Sequence, residues 1–158
     1  MMKTKGDVQV IAYLNQILAN ELVAINQYFL HAKIMNDRGL DKLGAHQYAE
    51  SIDEMKHAEM LVDRILFLGG LPNLQSLGKL TIGETTEQML KADLDLENRA
   101  IPCLKEAIAY VEKVHDFVSR DLLAKILTEE ESHVDWLQKQ LLLIETVGIE
   151  NYHLHQMN

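Results

Sequence analysis

The sequence has few of the residues that mark several protein classes. It contains one cysteine, Cys103, which cannot form an internal disulfide and has no cysteine or histidine at the spacing of a redox or zinc motif. We therefore expect Cys103 to be a small core residue. No apolar run reaches the roughly 18 residues of a membrane span. The N-terminal residues lack an apolar stretch followed by a small-residue cleavage site, so we expect a cytoplasmic protein without a signal peptide.

Positive charge is also scarce. Lys and Arg number 15 against 24 Asp and Glu, which gives a formal net charge of -9. This balance argues against a nucleic-acid surface and is compatible with the handling of cations. The length of 158 residues and the hydrophobic content of 47% fit one globular domain spanning 1–158.

Apolar residues recur at steps of three and four along most of the chain, which is the period of an amphipathic helix. The pattern predicts long helices over 7–36, 41–68, 86–113 and 116–146, and a short fifth helix over 149–156. Gly39 supplies the turn after the first helix, and Thr85 with Gln88 reads as a capping box that opens the third. Pro102 removes a backbone donor and clashes with the carbonyl of Asn98, so we expect a kink or a wide turn between Asn98 and Pro102.

Residues 69–84 contain four glycines and a proline and show no helical period. In extended form this segment reaches roughly 50 Å, while a helix of about thirty residues is roughly 45 Å long. The segment can therefore cross the full length of a bundle. The sequence predicts an all-α four-helix bundle with a long crossover between helices 2 and 3 and a short C-terminal fifth helix.

A Glu-x-x-His motif places a carboxylate and an imidazole on one face of a helix, where they can share a metal ion. The chain holds four such strings: Glu54/His57, Glu112/His115, Glu130/His133 and Glu150/His153. Glu112/His115 falls at a turn and Glu150/His153 lies beyond Gly148. Only the two remaining pairs are in the middle of predicted helices.

Each mid-helix pair has a glutamate 33 residues upstream on the preceding helix, Glu21 before Glu54 and Glu97 before Glu130. The sequence midpoint between the two glutamates of each pair falls in a predicted turn. In an antiparallel hairpin, the two glutamates of a pair therefore lie level with one another. The chain therefore behaves as a duplicated hairpin. Its four glutamates and two histidines would meet in the bundle interior as a di-iron carboxylate site.

Carboxylates are hard donors that bridge two ions, and imidazoles suit iron. Four buried carboxylates are costly unless cations or protons neutralise them, which favours a functional cluster. The competing interpretation places all six residues on solvated helix faces. Tyr28, seven residues after Glu21, either hydrogen bonds near the metals or is core packing.

Several stretches of the sequence resemble the bacterioferritins, the haem-containing ferritins of bacteria, over nearly the whole chain. They are Asn20-Glu-Leu-Val-Ala-Ile-Asn-Gln-Tyr-Phe-Leu-His31, Glu50-Ser-Ile-Asp-Glu-Met-Lys-His-Ala58, Arg64-Ile-Leu-Phe-Leu68, Gly70-Leu-Pro-Asn-Leu-Gln75 and Val118-Ser-Arg-Asp121. The resemblance implies a 24-subunit shell, built from dimers, that stores oxidised iron. It also implies Fe(II) and oxygen or peroxide as substrates.

The resemblance assigns catalytic and metal-binding roles to particular residues. It implies a non-haem di-iron ferroxidase site of Glu21, Glu54, His57, Glu97, Glu130 and His133, with Glu54 and Glu130 bridging. Met55 points away from that face of its helix, and it matches the axial ligand of a haem b held between two copies at a two-fold axis. A methionine on a helix is otherwise often gap filling. A ferredoxin is the electron donor that the resemblance implies for iron release.

One position departs from the family pattern. Ala49 stands where many members carry a histidine of an iron site on the inner shell surface, so we do not expect that site in its usual form although Asp53 remains. Two alternatives stay open: a haem-free ferritin or a di-iron oxidase that stores nothing, and a structural or haem-binding bundle without ferroxidase activity.

Overall fold

Five helices make up the regular structure of this protein, for which a computed structural model describes residues 6–158. The helices are α1 (Val8–Asp37), α2 (Asp41–Phe67), α3 (Thr86–Lys113), α4 (Phe117–Val147) and α5 (Ile149–Gln156), and the described residues form no strand. The predicted four-helix bundle with a short fifth helix is confirmed. The extended crossover lies between α2 and α3, as predicted.

The helix ends follow local sequence signals. Asp7 accepts hydrogen bonds from the first-turn amides of α1, and Thr85 and Gln88 form the predicted capping box of α3. Asp116 caps α4 through the amide of Ser119. Gly39, with φ of 80°, allows the chain to reverse between α1 and α2.

The two hairpins, α1 with α2 and α3 with α4, join along α1 and α3. One buried apolar cluster gathers near the start of α1 and the end of α2, around Leu14 and Leu61. A second gathers at the opposite end, around Met35, Leu43 and Tyr152, the last from α5. Because most buried apolar residues gather at these two ends, and only a small third cluster around Val23 and Leu96 lies between them, the middle of the bundle has room for polar groups.

The wide turn that we allowed near Pro102 is not formed, because α3 runs unbroken from Thr86 to Lys113 with the proline inside it. Pro102 and Asn98 both lie on the exposed side of the helix. On this side the Asn98 carbonyl, which loses its helical donor, is accessible to hydration instead of being sealed in the core. Packing of the flanking turns overrides the local cost of the proline.

Helix α1 and Cys103 differ in detail from what the sequence predicts. By length and composition alone, α1 is apolar enough to cross a membrane, but it is a packed helix of the bundle and carries buried polar residues such as Glu21, Gln27 and His31. Cys103 is half-buried rather than fully buried, at the edge of the apolar cluster.

Candidate metal centre

The polar middle of the bundle contains all six residues of the predicted site. Each is at most 3% exposed: Glu21, Glu54, His57, Glu97, Glu130 and His133. They come from all four long helices, because each hairpin turn lies midway between its paired glutamates. The alternative that these residues lie on solvated helix faces is wrong.

One half of the site surrounds His57. Its Nδ1 lies 3.5 Å from Glu21, 3.4 Å from Glu54 and 3.3 Å from Glu130, each distance measured to a carboxylate oxygen. One ligand atom from each of these four residues lies within 4.8 Å of all the others. Three carboxylates and one imidazole thus bring their ligand atoms close enough together to share one metal ion.

The other half joins Glu97 and His133. Nδ1 of His133 lies 3.6 Å from a carboxylate oxygen of Glu97. The hydroxyl of Tyr28, which is fully buried, donates a hydrogen bond to the same Glu97 oxygen. Tyr28 therefore hydrogen bonds at the candidate site, as one of the two sequence interpretations held.

Four buried polar atoms of the site have no hydrogen-bond partner: an oxygen each of Glu21, Glu97 and Glu130, and Nδ1 of His133. Native proteins rarely leave such atoms unpaired. The gaps of 3.3 to 3.6 Å between the imidazole nitrogens and these carboxylates exceed an ordinary N–H···O bond. Two ligands with metal bonds of about 2.1 Å would stand this far apart at angles of about 105° to 120°. The donor set therefore fits divalent cations.

Without a cation the cluster holds protons. Burial raises the pKa of Glu21 and Glu130, and burial together with a hydrogen bond to Glu130 raises the pKa of Glu97 well above its usual range. Burial alone would lower the pKa of His57, but its contacts with Glu130 and Glu21 outweigh burial and raise it to about 11. A cation that binds here must displace these protons.

A buried hydrogen-bond network orients His133. Nε2 of His133 lies 3.3 Å from the side-chain oxygen of Gln47, whose amide donates to Asp93 at 2.6 Å. Nε2 of His133 therefore faces the Gln47 oxygen, and Nδ1 faces the site. Asp93, fully buried, also accepts from Gln27 and His31. This network links α1, α2, α3 and α4 beside the site.

Sequence reasoning missed two carboxylates at this site. Nε2 of His57 contacts Glu129, which leaves Nδ1 for the inner carboxylates. Glu50 lies 3.8 Å from Nδ1 of His133, and burial with the nearby charge of Asp53 raises its pKa to about 7. Glu50 stands one helical turn before Glu54, a spacing that could have revealed it. Glu129 gave no such signal, because it directly precedes Glu130 and should point elsewhere.

Comparison with known proteins shows the family of the chain. The profile of the ferritin-like domain matches residues 11–147. A bacterioferritin of Streptomyces coelicolor is 47% identical over 94% of this chain and 89% of its own length. The chain belongs to the bacterioferritin family. A bacterioferritin of Mycobacterium tuberculosis is also 47% identical, over 94% of this chain and 93% of its own. A bacterial ferritin of Synechocystis is 46% identical over 98% and 99%.

The residue that the bacterioferritin resemblance assigns to haem lies outside this cluster. Met55 is 56% exposed and faces away from the bundle interior. Tyr48 and Ile52, at 44% and 42% exposure, share its face of α2 at helical spacing. The haem role of Met55 stays a prediction, as does the expectation from Ala49 that the inner-surface site is not formed in its usual way.

Proposed function

We propose that this protein is an iron-storage ferritin whose buried cluster is a ferroxidase site. The observation that carries the proposal is the convergence of four glutamates and two histidines from a duplicated hairpin, with four of their buried polar atoms unpartnered. Membership of the bacterioferritin family supports the storage role.

The substrate is Fe(II), and we assign its binding to Glu21, Glu54, His57, Glu97, Glu130 and His133. Carboxylates from facing helices hold two ions close together, with Glu54 and Glu130 between them. Two Fe(II) ions lose one electron each. Oxygen accepts the two electrons and two protons to give hydrogen peroxide, or hydrogen peroxide accepts them to give two waters.

This chain's own residues handle the protons of that reaction. His57 and Glu97 hold protons in the metal-free cluster and give them up as Fe(II) binds. Glu129 accepts from Nε2 of His57 and keeps Nδ1 directed inward. The Tyr28 hydroxyl, which donates to Glu97, restrains that carboxylate in the metal-free state.

We propose that the single domain, 1–158, assembles in the cytoplasm as a 24-subunit shell built from dimers, in which Fe(III) accumulates as mineral. A haem b would lie between two copies of Met55, whose thioether ligands favour reduced iron and suit electron delivery from a ferredoxin during release. The exposed apolar side chains beside Met55 support a subunit interface there.

The test measures assembly and oxidation in one preparation. We expect a particle of about 430 kDa from 24 subunits of 18.0 kDa, and a fast rise in Fe(III) absorbance after Fe(II) is added in air. Glu54→Gln with His57→Asn should abolish the fast phase while the particle mass is retained. Glu59→Gln with His155→Asn, which changes the same residue types at exposed positions, is the matched control.

Each outcome distinguishes the alternatives. Fast oxidation by the double variant would overturn the site assignment. Oxidation by a small oligomer that forms no mineral would favour a di-iron oxidase that stores nothing. Titration with haem of the wild type and of Met55→Leu separates the haem-containing protein from a haem-free ferritin. A haem-binding wild type should develop a haem absorbance spectrum that Met55→Leu does not develop, whereas a haem-free ferritin should develop none in either form.

A further inference from the structure

A second group of possible ligands lies beside the six-residue site. Glu50, on α2, directs one carboxylate oxygen toward Nδ1 of His133 at 3.8 Å and the other toward Nε2 of His46 at 3.9 Å. Both gaps exceed the length of an ordinary hydrogen bond. The Glu50 carboxylate is therefore between two imidazoles without bonding to either.

The inner side of this group contains an unpartnered atom. Nδ1 of His133 is buried, has no hydrogen-bond partner and faces Glu50 on one side and Glu97 on the other. One ligand atom each from Glu50, Glu54 and His133 lies within 4.8 Å of the others. This group therefore continues the six-residue site toward the surface.

The outer side of the group is held in place and open to solvent. The His46 ring stacks on Trp136 with centroids 3.6 Å apart and planes at 6°, which restricts the direction of its Nε2. The side chains of His46 and Glu50 are 34% and 20% exposed, in contrast to the six buried ligands. The negative charge of Asp53 acts on both of them. A cation that approaches this side of the bundle would meet Glu50 and His46 before any inner ligand.

We propose that Glu50 and His46 form a third divalent-cation site, here called the entry site, on the solvent side of the ferroxidase cluster. The facing atoms of Glu50 and His46 are 3.9 Å apart and would subtend about 135° on metal bonds of about 2.1 Å, an opened angle that a slight side-chain rotation closes. If the bound ion exchanged its ligand His46 for His133 while Glu50 remained bound, the ion would move inward to the ferroxidase cluster. As a loading step this rests on the proposed function, but cation binding at the entry site does not.

Zn²⁺ tests the entry site without redox chemistry. In crystals of the assembled wild-type protein grown with Zn²⁺, we expect three anomalous-scattering peaks per subunit, the third between Glu50 and His46. Equilibrium dialysis with metal analysis should give three Zn²⁺ per subunit. Glu50→Gln and His46→Asn should each remove only the third peak and lower the stoichiometry to two.

Matched controls are Glu59→Gln and His155→Asn, which alter exposed residues of the same types and should leave three ions bound. Two ions in the wild type, or a third peak that persists in both variants, would overturn the entry site and leave the ferroxidase assignment standing. A single ion at Glu50 and His46 with an empty inner cluster would overturn the ferroxidase assignment and support the entry site.

Discussion

Replacement of Glu21 by glutamine tests the charge balance of the buried cluster, since it removes one negative charge and keeps the shape of the side chain. Ligand atoms of Glu21, Glu54 and Glu130 lie within 4.8 Å of one another. At an effective dielectric constant of about 20, each ionised pair repels by about 3.5 kcal/mol. The attraction between Glu21 and protonated His57, 3.5 Å apart, is about 4.7 kcal/mol on the same scale.

Glu21→Gln therefore relieves two repulsions and loses one attraction. We expect the free energy of unfolding of the metal-free protein to rise by up to about 2 kcal/mol, or roughly 4 to 8 °C in melting temperature. Because burial raises the pKa of Glu21, the gain is largest near pH 8 and disappears as the cluster takes up protons on acidification.

The same substitution removes a metal ligand, so the stabilisation that Zn²⁺ provides should fall even though the metal-free protein becomes more stable. At a free concentration 100-fold above its dissociation constant, Zn²⁺ should stabilise the wild type by about 2.7 kcal/mol, and the variant by clearly less. Calorimetry at pH 8 with EDTA and then with Zn²⁺ measures both effects, with Glu59→Gln as the control. A variant that melts below the wild type in EDTA and keeps the full Zn²⁺ gain would refute the reasoning.

Three further predictions concern the scaffold. Asp116→Ala should cost about 1 to 2 kcal/mol of unfolding free energy by removing a helix cap and the partner of Arg64. Burial would raise the pKa of Asp116, but its contacts with Ser119 and Arg64 outweigh burial and lower it. The loss of stability in Asp116→Ala should therefore be complete at pH 7 and shrink as the pH falls below about 4. Urea titrations at several pH values measure this loss. Pro102→Ala should raise the free energy of unfolding by about 1 to 3 kcal/mol in the same assay, and a decrease would mean that the helix needs the proline. Leu104→Ala, at a fully buried position, should cost about 2 to 5 kcal/mol, while an equal loss from the exposed Leu154→Ala would contradict the assigned core.

The helices could be predicted because their signals are local. The bounds of α3 and the Thr85 to Gln88 capping box match the structure, since a cap depends only on residues a few positions apart. The effect of Pro102 could not be predicted in the same way. Its cost depends on whether the freed carbonyl meets water, which is a property of the packed bundle.

The six-residue cluster could be predicted for a different reason. The repeated spacing of 33 residues encodes level positions on antiparallel helices, so a one-dimensional pattern predicts a three-dimensional one. The residues that orient the ligands carry no such pattern. Gln47 and Asp93 are 46 positions apart, and their pairing depends on how far α2 and α3 stand from each other, a distance set by core side chains.

The positions of the ligands therefore do not depend on the charged cluster alone. Asp93 is fully buried and bonds to side chains from α1 and α2, and two of these also hold the crossover, His31 at Gly83 and Gln27 at Thr81. This network is complete without a metal ion, so it costs little to maintain, whereas the adjacent cluster leaves four polar atoms unpartnered. Because the satisfied network fixes His133 through Gln47, the imidazole faces the site before any cation arrives. Little of the binding free energy of a cation is then spent on ordering this ligand, and the remaining cost is the displacement of protons.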